Sequence, residues 1–235
     1  MNQWQWPFSV AEAKQWQHQQ SLLLDHSPSD VKPQWIGGAD IGLINQGKQV
    51  RAAICVFDAQ SLAPYVAVIA VCDNQMPYIP GLLAFREVPA LVQAWRSLPV
   101  KPDLLLVDGQ GIAHPRGFGN AAQLGLELNC SSIGVAKSRL FGQHPPLTAS
   151  LLQAQPLTAQ QRQIGWVIRT KARCNPLYIS PGHRISLEQS LYWSCYCLDG
   201  YRLPKPTRYA DILASARRNQ AQISAQFVKG VINSS

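Results

Sequence analysis

The chain has 235 residues, of which 46% are apolar, a composition that fills a sizeable core and excludes a disordered chain. Its longest unbroken apolar run, Tyr65 to Cys72, is 8 residues, far below the roughly 20 that a membrane-spanning helix needs. The first residues lack the basic start and apolar stretch of a secretion signal, so the expected location is cytoplasmic, with no membrane partner. The formal net charge of +8 is unevenly spread: residues 1–136 carry 8 Lys/Arg and 10 Asp/Glu, while residues 137–235 carry 13 Lys/Arg against Glu188, Asp199 and Asp211. Clustered cations suit a polyanionic partner such as nucleic acid, although a solvated basic surface would give the same count. The 6 cysteines form no C-x-x-C pair and read as small apolar residues rather than as a zinc or disulfide framework.

Ser9-Val10-Ala11-Glu12 has the capping-box pattern and predicts a helix to about Leu24. A connection over Pro28 to Pro33 follows. Trp35–Ile41, Val50–Phe57 and Tyr65–Cys72 are β-rich runs separated by short turns, which predicts an antiparallel meander. After Pro80-Gly81, Leu82, Phe85, Val88, Leu91 and Trp95 recur at helical spacing. Leu104–Val107 reads as a buried central strand ending at Asp108-Gly109, followed by a Gly- and Ala-rich helix near 119–128 and a strand over Ser132–Val135. Strands near Gly165–Arg169 and Leu177–Ser180 precede a helix from Leu187 to Leu198, opened by Ser186 with Gln189 three residues on. Residues 142–163 look like an insertion or surface connection, and 217–235 like a basic helix or a frayed tail. The order predicts a single α/β domain over 1–235, entered through an N-terminal helix and loop (1–30), with a mixed central sheet flanked by helices, as in the ribonuclease H-like fold.

In that fold the first and fourth strands are neighbours, so Asp40 and Asp108, at the ends of those strands, would lie side by side. Two such carboxylates repel unless one is protonated or a hard cation sits between them, and Mg²⁺ takes oxygen ligands of this kind. Turn-capping before glycine is the alternative for each taken alone. Glu87 could hold an attacking water or accept its proton, or be an ordinary helical Glu paired with Arg86 or Arg116. Lys137, at a strand end, could neutralise charge on a phosphoryl group or simply be solvated. His183, in a loop before a helix N-terminus, could position a phosphate or ligate metal; His114 is the weaker histidine candidate.

These residues stand in longer strings: Gly38-Ala39-Asp40-Ile41-Gly42, MPYIPGLLAFRE from Met76 to Glu87, VDGQGIAHPR from Val107 to Arg116, IGVAKSRL from Ile133 to Leu140, KARCNPLYISPGHR from Lys171 to Arg184, and YRLPKPTR from Tyr201 to Arg208. In this order and spacing they resemble the endonuclease V family, the deoxyinosine-directed repair nucleases, over most of residues 34–211. The resemblance implies that Asp40 and Asp108 are Mg²⁺ ligands, Glu87 the third acidic catalytic residue, and Lys137 and His183 basic groups around the scissile phosphate. It implies further that Tyr78, within Pro77-Tyr78-Ile79-Pro80, wedges into the duplex beside the lesion, and that Leu83, Gly109, Gly119 and His114 line the pocket for the flipped base. A proline-bounded loop is stiff and an aromatic ring fills the space a displaced base leaves, so the wedge is chemically sensible in its own right. Gln110, Asn120 and Gln123 depart from the family pattern, standing where His or Asn, an apolar residue, and His are common.

The function implied is an Mg²⁺-dependent DNA repair endonuclease, with Mn²⁺ as a possible substitute ion. It would act as a monomer on deaminated purines, chiefly deoxyinosine, cutting the second phosphodiester bond 3′ to the lesion to leave 3′-hydroxyl and 5′-phosphate ends. An endoribonuclease acting on inosine-containing RNA, a non-cutting inosine-binding protein, and a nuclease specific for branched or flapped structure are the alternatives.

Overall fold

Alternation along the first three strands sets the two faces of the molecule. In a computed structural model that describes residues 9–28, 32–147 and 150–234, β1 (Trp35–Ile44), β2 (Gln49–Asp58) and β3 (Pro64–Asp73) form the expected antiparallel meander. Ala39, Ala52, Ile54, Val66 and Val68 point to one face and pack against α2 (Leu83–Arg96) and α3 (Asn120–Leu128). Ala53, Cys55, Phe57, Ala67 and Ile69 point to the other, against α5 (Lys205–Ala214) and α6 (Gln220–Ser224). Period-2 alternation between two helical layers is the reason these strands contain so few polar residues.

β4 (Leu104–Val107) pairs in parallel with β1 and with β5 (Ser131–Ala136), and β8 (Leu177–His183) runs antiparallel to β5. With β6 (Ala154–Ala159), β7 (Arg162–Ile168) and β9 (Val231–Ser234), the described residues make one sheet ordered β6-β7-β8-β5-β4-β1-β2-β3-β9. This is the mixed sheet flanked by helices of the ribonuclease H-like fold. Both capping boxes are formed, Ser9 with Glu12 at the start of α1 (Val10–Ser21) and Ser186 with Gln189 at the start of α4 (Leu187–Tyr196). The 6 cysteines are free thiols, three of them buried. No helix among the described residues is long and apolar enough to cross a membrane.

Some expectations change. Residues 142–163 are not merely a surface connection: β6 and the start of β7 form a hairpin whose loop, Gln160-Gln161, has both φ values positive (49° and 62°), as a type I′ turn requires. Residues 217–234 are neither one basic helix nor frayed, since they contain α6 and then β9, which lies parallel to β3. Residues 1–8 and 29–31, within the expected N-terminal helix and loop, fall outside the described ones.

α5 lies unusually close to the sheet. A Cβ on Gly38 would come within 2.0 Å of the Pro206 carbonyl carbon, and one on Gly42 within 2.5 Å of the Ala214 oxygen. These two glycines of β1 let the helix backbone settle directly on the strand. That close approach brings Asp211 of α5 over Asp40.

Candidate active site and metal centre

Asp40 projects from β1 toward the α5 layer, and Asp108 follows β4 directly, its backbone N–H donating to the Ala39 carbonyl at 2.9 Å. Asp211 completes the group: one ligand oxygen from each of Asp40, Asp108 and Asp211 lies within 4.8 Å of the others. Lys137, just past β5, sits among them, with its Nζ 3.6 Å from Asp40 Oδ2, 2.9 Å from Asp211 Oδ1 and in close contact with Asp108 Oδ2. Arg217 approaches from outside, 2.9 Å from Asp211 Oδ2. Burial, and then the Asp108 carboxylate, hold the Asp40 carboxyl well above its ordinary range despite the opposing pull of Lys137. Burial alone would lower the Lys137 ammonium, but the Asp108 and Asp40 charges outweigh it and raise it.

A donor set made only of carboxylate oxygens, gathered in a largely buried place, fits a hard divalent cation. Asp211 is the member of this cluster that the sequence reading left out, and Asp40, Asp108 and Asp211 are the residues that would hold such an ion.

Glu87 lies outside this cluster, in the α2 layer, and faces the same cavity. Its carboxylate accepts from Arg86 Nη2 at 3.2 Å and makes a closer bond with the Asn120 amide. Burial carries it from 4.5 up to about 7, against those two bonds and with the Asp108 charge adding to the rise. The departure at Asn120 is thus accommodated by Glu87. At Gln110, the amide donates to the Ser138 carbonyl at 2.9 Å. Gln123 is buried on α3.

The cavity, about 360 Å³, is lined by Asp40, Asp108, Glu87 and Lys137 together with Tyr78, Leu83, Gly109, His114 and Gly119. A volume in this range suits a small ligand the size of a base. Its outer wall is the 76–82 loop. Leu82 N–H donates to the Ile79 carbonyl at 3.0 Å and Gly81 has φ +76°, so Ile79-Pro80-Gly81-Leu82 is a type II turn with proline and glycine in their favoured places. Met76 and Leu82 anchor the loop in a small core with Ala13 of α1, and Ile79 packs against them. Tyr78 is left 67% exposed, and Pro77 and Pro80 are also exposed.

Three side chains pin the loop from behind. Arg116 donates to the Gly81 carbonyl and to Gln17 Oε1, both at 2.6 Å, and His114 Nε2 lies 3.1 Å from the same Gly81 oxygen. Burial, then the Arg116 charge, bring the His114 imidazole down to about 4, so it is neutral at neutral pH. Its partners assign the tautomer: Nε2–H donates to Gly81, and Nδ1 accepts from the Arg116 N–H at 3.3 Å. His114 is therefore a brace of the pocket wall.

His183 does not join the site. It pairs with Ser132 on β5, whereas Lys137 follows Ala136, which pairs with Tyr178. Four residues of strand separate the two levels, about 13 Å at the usual rise. His183 Nδ1 instead accepts the Asp25 N–H at 3.2 Å, and burial followed by the Arg184 charge lowers its imidazole. β8 runs antiparallel to β5, so its C-terminal residue is carried to the end of the sheet away from the carboxylates.

The family model described as Endonuclease V matches residues 17–212. The chain belongs to the endonuclease V family. It is 46% identical over 223 residues to an endonuclease V of Xanthomonas campestris pv. campestris (strain B100), covering 94% of each chain. Its structure is similar to that of the endonuclease V of Streptomyces avermitilis, with a TM-score of 0.83 and 33% identity over 92% of this chain and 96% of that one. The Ciona intestinalis endonuclease V, solved in complex with a 24mer DNA containing an inosine followed by a ribo-adenosine, shares the fold at a TM-score of 0.78 and 22% identity, over 91% of this chain and 98% of that one. As an endonuclease V, the protein is a nuclease and thus a phosphodiester hydrolase.

Proposed function

We propose that this endonuclease V recognises deaminated purines, chiefly deoxyinosine, and hydrolyses the second phosphodiester bond on the 3′ side, leaving 3′-hydroxyl and 5′-phosphate ends. The observation that carries the reading is a three-carboxylate cluster, Asp40, Asp108 and Asp211, that shares two members, Asp40 and Asp108, with the lining of a base-sized recess behind an exposed tyrosine. The Ciona relative, solved with inosine-containing DNA, supports the choice of lesion. Asp40, Asp108 and Asp211 would hold Mg²⁺ or Mn²⁺, and the bound ion supplies Lewis-acid polarisation of the phosphoryl group and charge stabilisation.

The remaining work falls to the chain itself. Glu87, balanced near neutrality, takes the proton of the attacking water, which is the range where a general base is most effective. Lys137 stays charged across the working pH range and stabilises negative charge gained by the phosphoryl oxygens. Tyr78 fills the gap left in the stack when the base turns out, and Leu83, Gly109 and Gly119 accept the flipped base. His114 lines the recess with them and braces its wall through the Gly81 carbonyl.

The test is cleavage of an end-labelled duplex with one inosine, in Mg²⁺ or EDTA, beside an undamaged duplex and the Asp108→Ala variant. A nick one nucleotide beyond the lesion's neighbouring phosphate, absent in every control, is the expected result. Full activity in EDTA or in Asp108→Ala would overturn the assignment. The ribonucleotide in the Ciona ligand makes a matched inosine RNA strand the necessary parallel substrate. Faster cutting of that strand would replace DNA by RNA as the primary target.

A further inference from the structure

Arg217 lies five residues beyond the end of the family match, yet it reaches the metal centre. The C-terminus of α5 brings it there. Arg217 N–H donates to the Ile212 carbonyl at 3.2 Å and Ala216 N–H to the Leu213 carbonyl at 3.4 Å, the two bonds of a Schellman cap. Its left-handed position is Ala216, φ +48°, where glycine is usual. The chain therefore doubles back, and Arg217 lays its guanidinium against Asp211, 2.9 Å from Oδ2 and 3.1 Å from Oδ1.

Asp211 Oδ1 is also held by Lys137 at 2.9 Å. Both oxygens of this carboxylate thus have cationic partners, and a divalent ion in the triad must take one of them. Lys137 is also held by Asp40 and Asp108. Arg217 pairs only with Asp211 among the described ion pairs, and its side chain is 56% exposed, so it is the partner free to leave. An arginine cannot shed its charge, and its planar fork matches a phosphate as well as a carboxylate. Three carboxylates against Lys137 and Arg217 sum to −1 when all are ionised; a divalent ion turns that to +1, which suits one phosphodiester.

We propose that Arg217 is an exchangeable counter-ion. It neutralises Asp211 while the cation site is empty, and it passes to a substrate phosphate when a divalent cation takes that carboxylate. This rests on the cation-site reading above.

The test uses the full-length protein and its Arg217→Gln, Arg217→Lys and Asp211→Asn variants. Mn²⁺ binding is measured first, by calorimetry without nucleic acid. Arg217→Gln should bind Mn²⁺ about two- to fivefold more tightly than wild type, the scale expected for losing a half-exposed competing pair, and Arg217→Lys should stay near wild type. Binding of an inosine-containing oligodeoxynucleotide is then followed by anisotropy in Ca²⁺ across a salt series, with strand integrity checked on the same samples. Arg217→Gln should bind more weakly, with a salt slope smaller by about one.

Tighter metal binding joined to weaker nucleic-acid binding is a pattern that a merely structural residue does not produce. Equal or weaker Mn²⁺ binding by Arg217→Gln would overturn the counter-ion role, and an unchanged salt slope would overturn the phosphate role. Failure of the cation-site reading looks different: wild type would bind no Mn²⁺, or Asp211→Asn would bind it as well as wild type does, and the proposal would fall with it.

Discussion

Glu87 is held in a state that costs stability, and that cost is measurable. The residue is 5% exposed, and its carboxyl ionises at about 7 in the folded chain against an ordinary 4.5. A group whose folded value is raised binds its proton more tightly when folded, so it costs nothing at acid pH and destabilises progressively as pH climbs from 4.5 to about 7. At 1.36 kcal/mol per pH unit the full cost above pH 7 is roughly 3 kcal/mol. Glu87→Gln removes the charge and keeps an oxygen for the Asn120 amide, but it weakens the bond from Arg86, which returns about 1 kcal/mol. The variant should therefore gain about 2 kcal/mol over wild type at pH 8 while losing cleavage. The assay is urea unfolding in EDTA at intervals from pH 4 to pH 8.5. The difference between the two proteins should grow through the window from 4.5 to 7 and then stay level. A difference that does not vary with pH would refute the reasoning, because burial of an ionisable group would then not be its source.

The other variants separate position from role. Tyr78→Ala, at an exposed ring, should change stability by less than about 0.5 kcal/mol yet weaken the preference for inosine over adenine duplexes; unchanged discrimination in competition binding would remove the wedge. His183→Ala should lower unfolding stability by about 1–2 kcal/mol through the lost bond to Asp25 N–H and leave the cleavage rate per folded molecule within a few-fold, whereas a hundredfold loss in single-turnover rate would return His183 to the site. Gln17→Ala strips Arg116 and the Phe118 carbonyl of their partner in a fully buried place. It should cost about 2 kcal/mol and raise KM more than it lowers kcat, since the loop it helps to brace carries the pocket wall; the reverse split in steady-state kinetics would count against the brace.

What the sequence made legible was what short-range rules govern. Ser9 with Glu12 and Ser186 with Gln189 marked two helix starts because a capping box is complete within four residues. The meander showed through its alternation, and Asp40 and Asp108 through strand order. β6 was hidden because it contains Pro156, tolerable only on the edge where it lies, and because its turn uses Gln160-Gln161 in place of asparagine or glycine. α5 has a clear apolar face, but it opens after Pro204 with no side-chain cap, so no capping signal marked its start. A signal for Asp211 did exist: it is one of three acidic residues in the basic half, and it stands in the apolar context Tyr-Ala-Asp-Ile-Leu-Ala. His183 misled because a histidine before a helix N-terminus suggests an anion site, while the direction of β8, which decides where it ends up, is a property of the sheet.

The two helical layers divide the chemistry between them. The candidate cation site belongs to the α5 face: Asp40 points there, Asp211 descends from it, and Gly38 and Gly42 fix the distance between strand and helix. Glu87, Asn120, His114 and the braced 76–82 loop belong to the layer of α1, α2 and α3. They meet at Asp108-Gly109-Gln110, where β4 ends: Asp108 supplies a carboxylate to one side, Gly109 lines the recess on the other, and Gln110 ties the turn to Ser138 beside Lys137. A base seated in the recess, as proposed, would press on the same short turn that positions Asp108. Substitutions that reshape the recess should for this reason change reaction rate as well as lesion preference, whereas those on the α5 face should change rate and metal requirement and leave preference alone.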